Sequence, residues 1–598
     1  DEPWKYPKDT EWPKGLTIHH RDDLDDVQRQ LAAAPGVSVL IYDQTCAAEK
    51  RRRRKRGAFP DPDKRVVIND LVCEGCGDCG QKSNCVSVQP LMTEWGRKRT
   101  IDQSSCNKDY SCIKGFCPSF VTVHGAKLKK GESVAEPSHW AALPEPEKPL
   151  ANHPYSIIVT GVGGTGIVTL GAVLGMAAHL DGKGVGIIDM AGLAQKGGAV
   201  YSHIRIANAP DDIHAIRVAA AGADLVLGGD IVVVGNKKVL STIKSGNTRV
   251  VVNTAEFLPG DFTRNPDYSL PTERLKRAIA GAAGNGNSHF VDASRLAVAL
   301  LGNSIGANMF MLGYAYQLGA LPVSGEALEK AIELNGEAVA MNLAAFRFGR
   351  RAAVDPAAVQ ALVAPAPQQQ NDSLKLSESF GEIVSRRERF LTAYQSRRYA
   401  RSYRALVDEA VRAESDKTPG LSGFAEAVAR YLFKLMAYKD EYEVARLYTD
   451  TGFVKGVKAQ FDGDLRFEFH LAPPLLAKAD PKTGEPKKMS FGPWMLRVFG
   501  VLAKFKFLRG SPLDPFGYSQ ERRTERQLIA DYKASIKSLI AELSPANHAT
   551  AMALASIPEK IRGFGPVKAR HLASAKAEEA NLREQFKSGA APLLRAAE

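Results

Sequence analysis

Apolar positions recur along this chain with two different periods. Between residues 154 and 350, short apolar runs follow one another: 156–160 (SIIVT), 185–189 (VGIID), 202–206 (SHIRI), 224–227, 231–234 and 249–253 (RVVVN). Ala-rich stretches near 167–180 and 294–319 separate some of them. Short apolar strands alternating with helices predict an α/β unit on a mostly parallel sheet. Beyond residue 373 the period becomes helical, over 376–413, 422–449, 518–543 and 566–588. A stretch rich in Pro, Gly and aromatics, 451–515, interrupts it. There Phe491, Trp494 and Phe499 read as core packing at helical spacing. Near the start, residues 37–42 (VSVLIY) follow Pro35-Gly36 and read as a short buried strand. Residues 66–125 leave little room for regular structure. Lys, Glu and Pro mark a linker at 126–153, and Ala, Pro and Gln mark another at 351–372. No internal repeat is visible.

At 598 residues the chain has room for about three to five domains. Its 44% hydrophobic and 24% charged residues exclude disorder and collagen-like structure as overall descriptions. The uncharged stretch 155–179 is interrupted by six glycines, so it reads as strand, turn and helix instead of a membrane span. No secretory signal opens the chain. Its first residue is not Met, which suggests processing or a longer parent sequence.

Charge is uneven. The net +13 includes seven cations in seven residues at 50–56 (KRRRRKR). Such a run suits an acidic protein, a phosphate, a membrane surface or nucleic acid, or is a solvated loop. No interleaved aromatics or known nucleic-acid fold surround it, so nucleic acid is the weaker reading.

Cysteine placement is more telling. All eight lie between Cys46 and Cys117. One thiol-rich module in a chain without an export signal points to metal ligation in a reducing cytoplasm. The first run is Cys73-x2-Cys76-x2-Cys79-x5-Cys85. The second is Cys106-x5-Cys112-x4-Cys117, followed by Pro118. This pattern resembles the two-cluster bacterial ferredoxins, in which the last Cys of each run serves the other cluster. The resemblance implies one [4Fe–4S] site of Cys73, Cys76, Cys79 and Cys117. A second would use Cys85, Cys106 and Cys112, with Asp109 where the pattern has its remaining Cys. A carboxylate is a harder ligand than thiolate, so that second site is degenerate. Structural zinc is the competing reading, but zinc sites usually pair two CxxC knuckles and this run is triple. Cys46 lies outside both runs and reads as a buried thiol. The pair His19-His20 reads as surface.

The run at 156–160 enters Gly161-Val-Gly163-Gly164-Thr165-Gly166 and then an apolar helix. Asp189 follows 23 residues after Gly166. Alone, that is a dinucleotide fingerprint. A second Gly-rich loop, 192–200, carries Lys196 and leads straight into the run at 202–206.

Together CEGCGDC, SSCNKDYSCIKGFCPSF, TGVGGTGIVTLG and GLAQKGGAVYSHIRI resemble the bacterial fused indolepyruvate ferredoxin oxidoreductases, members of the 2-oxoacid:ferredoxin oxidoreductases. The resemblance spans the chain. It implies the end of a thiamine-diphosphate-type domain with a basic linker at 1–65, and a ferredoxin-like domain at 66–125. It further implies a gamma-type domain at 154–350 and a family-specific, mainly helical C-terminal domain at 373–598. It implies thiamine diphosphate with Mg2+, CoA as co-substrate, and decarboxylation of an arylpyruvate with electrons passing to ferredoxin. No GDG thiamine motif occurs here; the nearest strings are Gly229-Asp230, Gly260-Asp261 and Gly463-Asp464. Thiamine-binding domains are therefore expected from elsewhere, in a homo- or hetero-oligomer. Under this resemblance Gly161, Gly163, Gly164 and Gly166 serve mainly backbone packing. A cofactor or CoA phosphate at Lys196 is the sharper alternative. The basic run would then attract an acidic electron acceptor. Two other classes compete: an NAD(P)- or flavin-linked dehydrogenase using the glycine turn, and a zinc- or nucleic-acid-binding scaffold.

Overall fold

The computed structural model describes residues 6–588 apart from 8, 130–133, 139, 150–152, 192–197, 259, 285, 364–371, 474–476 and 478–485. It divides into two units.

The smaller unit comprises 1–63 and 104–110. Its helices are Leu24–Ala33 and Ala47–Lys55, the second carrying most of the basic run. The strand expected at 37–42 does not form. Val37 is 98% exposed and Ile41 81%, because no described strand of this unit offers a ladder to pair with.

The larger unit comprises 64–103 and 111–598. Its strands, in chain order, are β1 (Lys64–Ile68), β2 (Val88–Thr93), β3 (Gly96–Ile101), β4 (Phe120–His124), β5 (Lys127–Leu128), β6 (Tyr155–Val162) and β7 (Gly184–Ala191). They continue as β8 (Ala199–Ala207), β9 (Leu225–Gly228), β10 (Arg249–Asn253), β11 (Ser288–Val291), β12 (Phe461–Asp462), β13 (Arg466–Leu471) and β14 (Met489–Phe491). Six form one sheet in the order β11-β10-β9-β6-β8-β7. β6, β9, β10 and β11 run parallel, while β8 is antiparallel to both neighbours. The α/β expectation thus holds, with one reversed strand. Helix Ile167–Leu180 packs its apolar side on this sheet. Behind it, helices Ala307–Gln317 and Val339–Val354 meet backbone to backbone. A Cβ on Gly313 would come 1.9 Å from Phe346 O, and one on Gly349 1.9 Å from Phe310 O.

The run Ile231–Val234, expected as a strand, is one helical turn. Asp230 Oδ1 accepts from Val233 N at 2.9 Å and caps it. Four apolar residues read alike in both states, and the cap decides. The helical expectations further on are met but divided by caps. The stretch 376–413 becomes Phe380–Tyr394 and Arg397–Lys417, with Ser379 and Ser396 as caps. The stretch 422–449 becomes Phe424–Met436 and Glu441–Thr449, capped by Asp440. Gln520–Glu542 and Gly565–Ser588 complete the set.

Residues 66–125 are more ordered than their composition suggests. β1 and β4 pair antiparallel, and β4 continues the sheet into β13 and β14. Arg466 thus faces His124 across a ladder. Val67, Val121 and Val123 share a core with Tyr448, Phe467, Phe469 and Phe499. Within the larger unit, residues 64–103 and 111–125 therefore share a core with the C-terminal stretch. Phe499 is buried as expected, but Trp494 is 55% exposed. It precedes helix Met495–Leu502, whose inward face is Met495 and Phe499. No described helix is long and apolar enough to cross a membrane.

Candidate metal centre

β1 ends at Ile68 and the chain turns on Asn69. Asn69 N donates to Ser119 O at 2.8 Å, Asn69 O accepts from Cys73 N at 2.9 Å, and Asn69 Oδ1 accepts from Leu71 N at 3.1 Å. The loop then squeezes under β3. Gly75 has φ +66°, and a Cβ there would lie 2.1 Å from Arg97 O, so only glycine fits. Gly77 precedes the short helix Asp78–Ser83, which carries Cys79. Buried Asp78 accepts from Phe116 N at 2.7 Å and ties the second run to the first. Lys488, just before β14, donates to Ile113 O (3.0 Å), Gly115 O (2.7 Å) and Cys117 O (3.0 Å).

These bonds bring Cys73, Cys76, Cys79 and Cys117 around one small pocket, which Arg99, Ser119 and Phe120 also line. Each of the four is at most 9% exposed. Cys117 Sγ and Ser119 Oγ lie 2.9 Å apart. Burial, and then repulsion from Cys117, pushes the Cys73, Cys76 and Cys79 thiols well up. Thiolates here need a positive charge between them, which a bound metal supplies. The wall holds a second sign. Arg99 is 3% exposed; its Nη2 donates to Pro266 O at 3.1 Å, while Nη1 is buried without a partner. An unmade buried donor costs about 1–3 kcal/mol, and an anionic, sulfur-rich group in the pocket would satisfy it. On that test the residues fit a four-thiolate iron–sulfur cluster. Among the described residues no group of three or more Cys, His, Asp or Glu is placed to hold a metal ion.

The remaining pattern residues are not on this pocket. Cys85 and Cys112 belong to the larger unit, Cys106 and Asp109 to the smaller. Asp109 Oδ1 accepts from Arg21 Nη1 at 3.2 Å, and Lys108 N donates to Cys106 Sγ at 3.4 Å. Cys46, expected to be buried, is exposed at the N-terminus of helix Ala47–Lys55, in a unit with little apolar matter to cover it. The basic run is partly structural. Arg51 donates to Ser104 O at 2.5 Å and Arg54 to Asn107 O at 2.7 Å, and Arg52 and Arg53 pair with Glu49. His20 is exposed and accepts from Asp22 N.

The glycine turn has a different interior. Gly163 N donates to Gly198 O at 2.7 Å. A Cβ on Gly161 would meet Ile167 Cδ1 at 2.7 Å, and one on Gly166 would meet Asn308 Nδ2 at 2.9 Å. Gly164 and Gly166 have φ of +85° and +90°. Asn308 itself donates to Thr165 O at 2.6 Å. Asp189 accepts from Ser202 Oγ across the hairpin. β8 lies between β6 and β7, so Asp189 is not on the strand beside the turn, as a dinucleotide site requires. Lys196 lies outside the described residues.

Sequence reasoning missed Asn69, Asp78, Arg99 and Lys488. Asp78 sits inside CEGCGDC and was within reach. Arg99 comes from a hairpin and Lys488 from the segment just before β14, about 370 residues beyond the cysteines, and nothing local marks them.

Residues 156–352 match the family described as pyruvate ferredoxin/flavodoxin oxidoreductase, and 380–581 match a family of unknown function, DUF6537. The indolepyruvate oxidoreductase subunit IorB of Pyrococcus horikoshii is 31% identical, over 33% of this chain and 96% of that protein. IorB of Methanothermobacter thermautotrophicus is 29% identical, over 34% and 98%. A pyruvate oxidoreductase subunit, PORC, from Thermotoga maritima is 24% identical, over 33% and 97%, with a TM-score of 0.26. The sequence likeness to nearly the whole of IorB decides the matter: this chain belongs to the indolepyruvate oxidoreductase family, within the 2-oxoacid:ferredoxin oxidoreductases.

Proposed function

We propose that this chain carries the electron-transfer and gamma-type parts of an indolepyruvate-type, arylpyruvate-oxidising ferredoxin oxidoreductase. The carrying observation is the set of four buried thiols around one pocket, which Arg99, with one buried N–H unpartnered, also lines. Cys73, Cys76, Cys79 and Cys117 would hold a [4Fe–4S] cluster, which when bound supplies one-electron transfer. The chain's own part is to hold and shield it. Asp78 and Lys488 clamp the loop that ends in Cys117, and all four thiols are buried.

In this reading, thiamine diphosphate and Mg2+ are bound on partner domains or a partner subunit. Bound there, that cofactor would supply the oxidative decarboxylation of a 2-oxoacid, the acyl group going to CoA and the two electrons leaving singly to a ferredoxin. The fold at 154–350 then serves as the gamma-type scaffold in a cytoplasmic oligomer. Its glycine turn acts mainly in packing, and Lys196 is the residue to test for an anion.

The test is purification without oxygen, followed by counting iron, sulfide and zinc per chain and by EPR with and without dithionite. About four irons and one reduced cubane signal support a single cluster. About eight, or a three-iron signal, would extend the reading to Cys85, Cys106, Cys112 and Asp109. Zinc without iron sinks it and leaves a scaffold.

A further inference from the structure

The thiol pocket is lined by one cation, Arg99, and by the carboxyl residues Glu74 and Asp78 as well as by sulfur, and three lysines lie around it. Arg99, on β3, lines the pocket; its Nη1 is buried without a hydrogen-bond partner, and its guanidinium lies 5.9 Å from the centre of the Phe262 ring. Lys439 donates to Cys73 O at 3.3 Å and pairs with Glu74. Lys98, also on β3, is buried, and burial lowers its ammonium to about 8. Lys488 bonds three carbonyls of the 113–117 segment, Cys117 O among them, and lies 5.5 Å from the centre of the Phe120 ring. Lys439 and Lys488 both come from within 380–581, the region that matches a family of unknown function.

Adding one electron to a buried cluster makes it more negative by one charge. Nearby cations favour that state, and so do N–H donors to its sulfurs, and both act more strongly where water is excluded. The Phe262 ring packs on this guanidinium, and a cluster sulfur would add a hydrogen-bond acceptor for the N–H that has none. Resting on the cluster reading above, we propose that Arg99 donates Nη1–H to a cluster sulfur. Together with Lys439 and Lys488 it raises the cluster's reduction potential. The 380–581 region thereby acts as an electrostatic cover that sets the electron affinity of the site. Arg99 is a positioning and tuning residue here, and ligation is left to the four cysteines.

The experiment uses the whole chain, purified without oxygen. Wild type, Arg99→Met, Arg99→Lys and Lys488→Gln are each assayed for iron and sulfide. Each is then titrated with dithionite through redox mediators, and the reduced signal is followed by EPR. Arg99→Met and Lys488→Gln are expected to keep their iron. Each should shift the equilibrium against the reduced form by roughly tenfold, a midpoint about 59 mV more negative for a one-electron couple. Arg99→Lys, which keeps the charge, should move less. Lys488→Gln retains donors for the carbonyls, so it reads charge separately from loop support. Iron-replete Arg99→Met at the wild-type potential overturns the proposal and leaves the cluster reading intact. Loss of iron from Arg99→Lys would make the residue a structural support and also overturn it. Iron-free wild type sinks both.

Discussion

Two loops in this molecule share one local grammar. Each follows a buried strand, turns on glycines of positive φ, and ends in a glycine that opens a helix: Gly77 before Asp78–Ser83 and Gly166 before Ile167–Leu180. Their interiors differ. Around 161–166 the space is filled by Ile167, the Gly229 backbone and Asn308, and the polar groups meet one another. Around 73–79 the glycines let four thiols converge, and an arginine N–H is left unmade. A glycine motif therefore licenses a turn, while a ligand declares itself through unsatisfied chemistry beside that turn.

The largest break in this contrast is at the thiols. Cys76→Ser should drop bound iron from about four per chain to near none, measured by iron and sulfide assay. At the other loop, Gly164→Ala should leave iron unchanged in the same assay, because only its φ is at issue there. Next comes the helix pair behind the six-stranded sheet. A Gly313→Ala methyl would press on Phe346 O, main chain that cannot rotate away. A loss of about 3 kcal/mol is expected, read as faster hydrogen exchange over 307–354 with the iron site unaffected.

The sheet that supports the thiols should weaken in acid. Burial lowers His470 to about 4, and Lys488 and Lys64 push the same way against the opposing pull of Glu468. His470 lies 2.8 Å from Thr122 Oγ1, joining β13 to β4. A folded pKa below the ordinary value of 6.5 means the contribution is whole above pH 6.5 and is lost as pH falls through about 4. Allowing for solvent screening, about 2 kcal/mol is at stake. Hydrogen exchange of the β4 and β13 amides between pH 7 and pH 4 checks it, and His470→Gln should flatten the change.

How much of this was legible in the sequence depended on distance along the chain. The strand, turn and helix at 155–180 are a local pattern and stand where they were expected; the triple cysteine run is local too, and its three thiols line one pocket. The pairing of β4 with β13 joins residues about 340 apart, and nothing in either segment announces it. Arg99 looks like any cation on a hairpin until Pro266 is seen to satisfy only one of its nitrogens. The run at 37–42 misled because apolar alternation states a need for a partner strand without supplying one. Ile231–Val234 misled because four residues are too few to show a period; its signal was the Asp230 cap just before it.

That cap supplies the smallest effect, opposite in sign to His470. Asp230 is buried, Oδ1 is held by Val233 N, and Oδ2 has no partner. Burial raises its carboxyl to about 6, against the opposing pull of the Val233 N–H. A folded pKa above the ordinary 3.8 means its contribution is whole below pH 3.8 and is lost as pH rises through about 6. Asp230→Asn keeps an oxygen for the Val233 N–H and removes the buried charge. The variant should match wild type near pH 4 and exceed it by about 1–2 kcal/mol at pH 8, read as slower hydrogen exchange over 225–253. If the gain were equally large at both pH values, the buried carboxylate would not be its source. The two regions would then differ in their ligand chemistry alone, without opposite responses to pH.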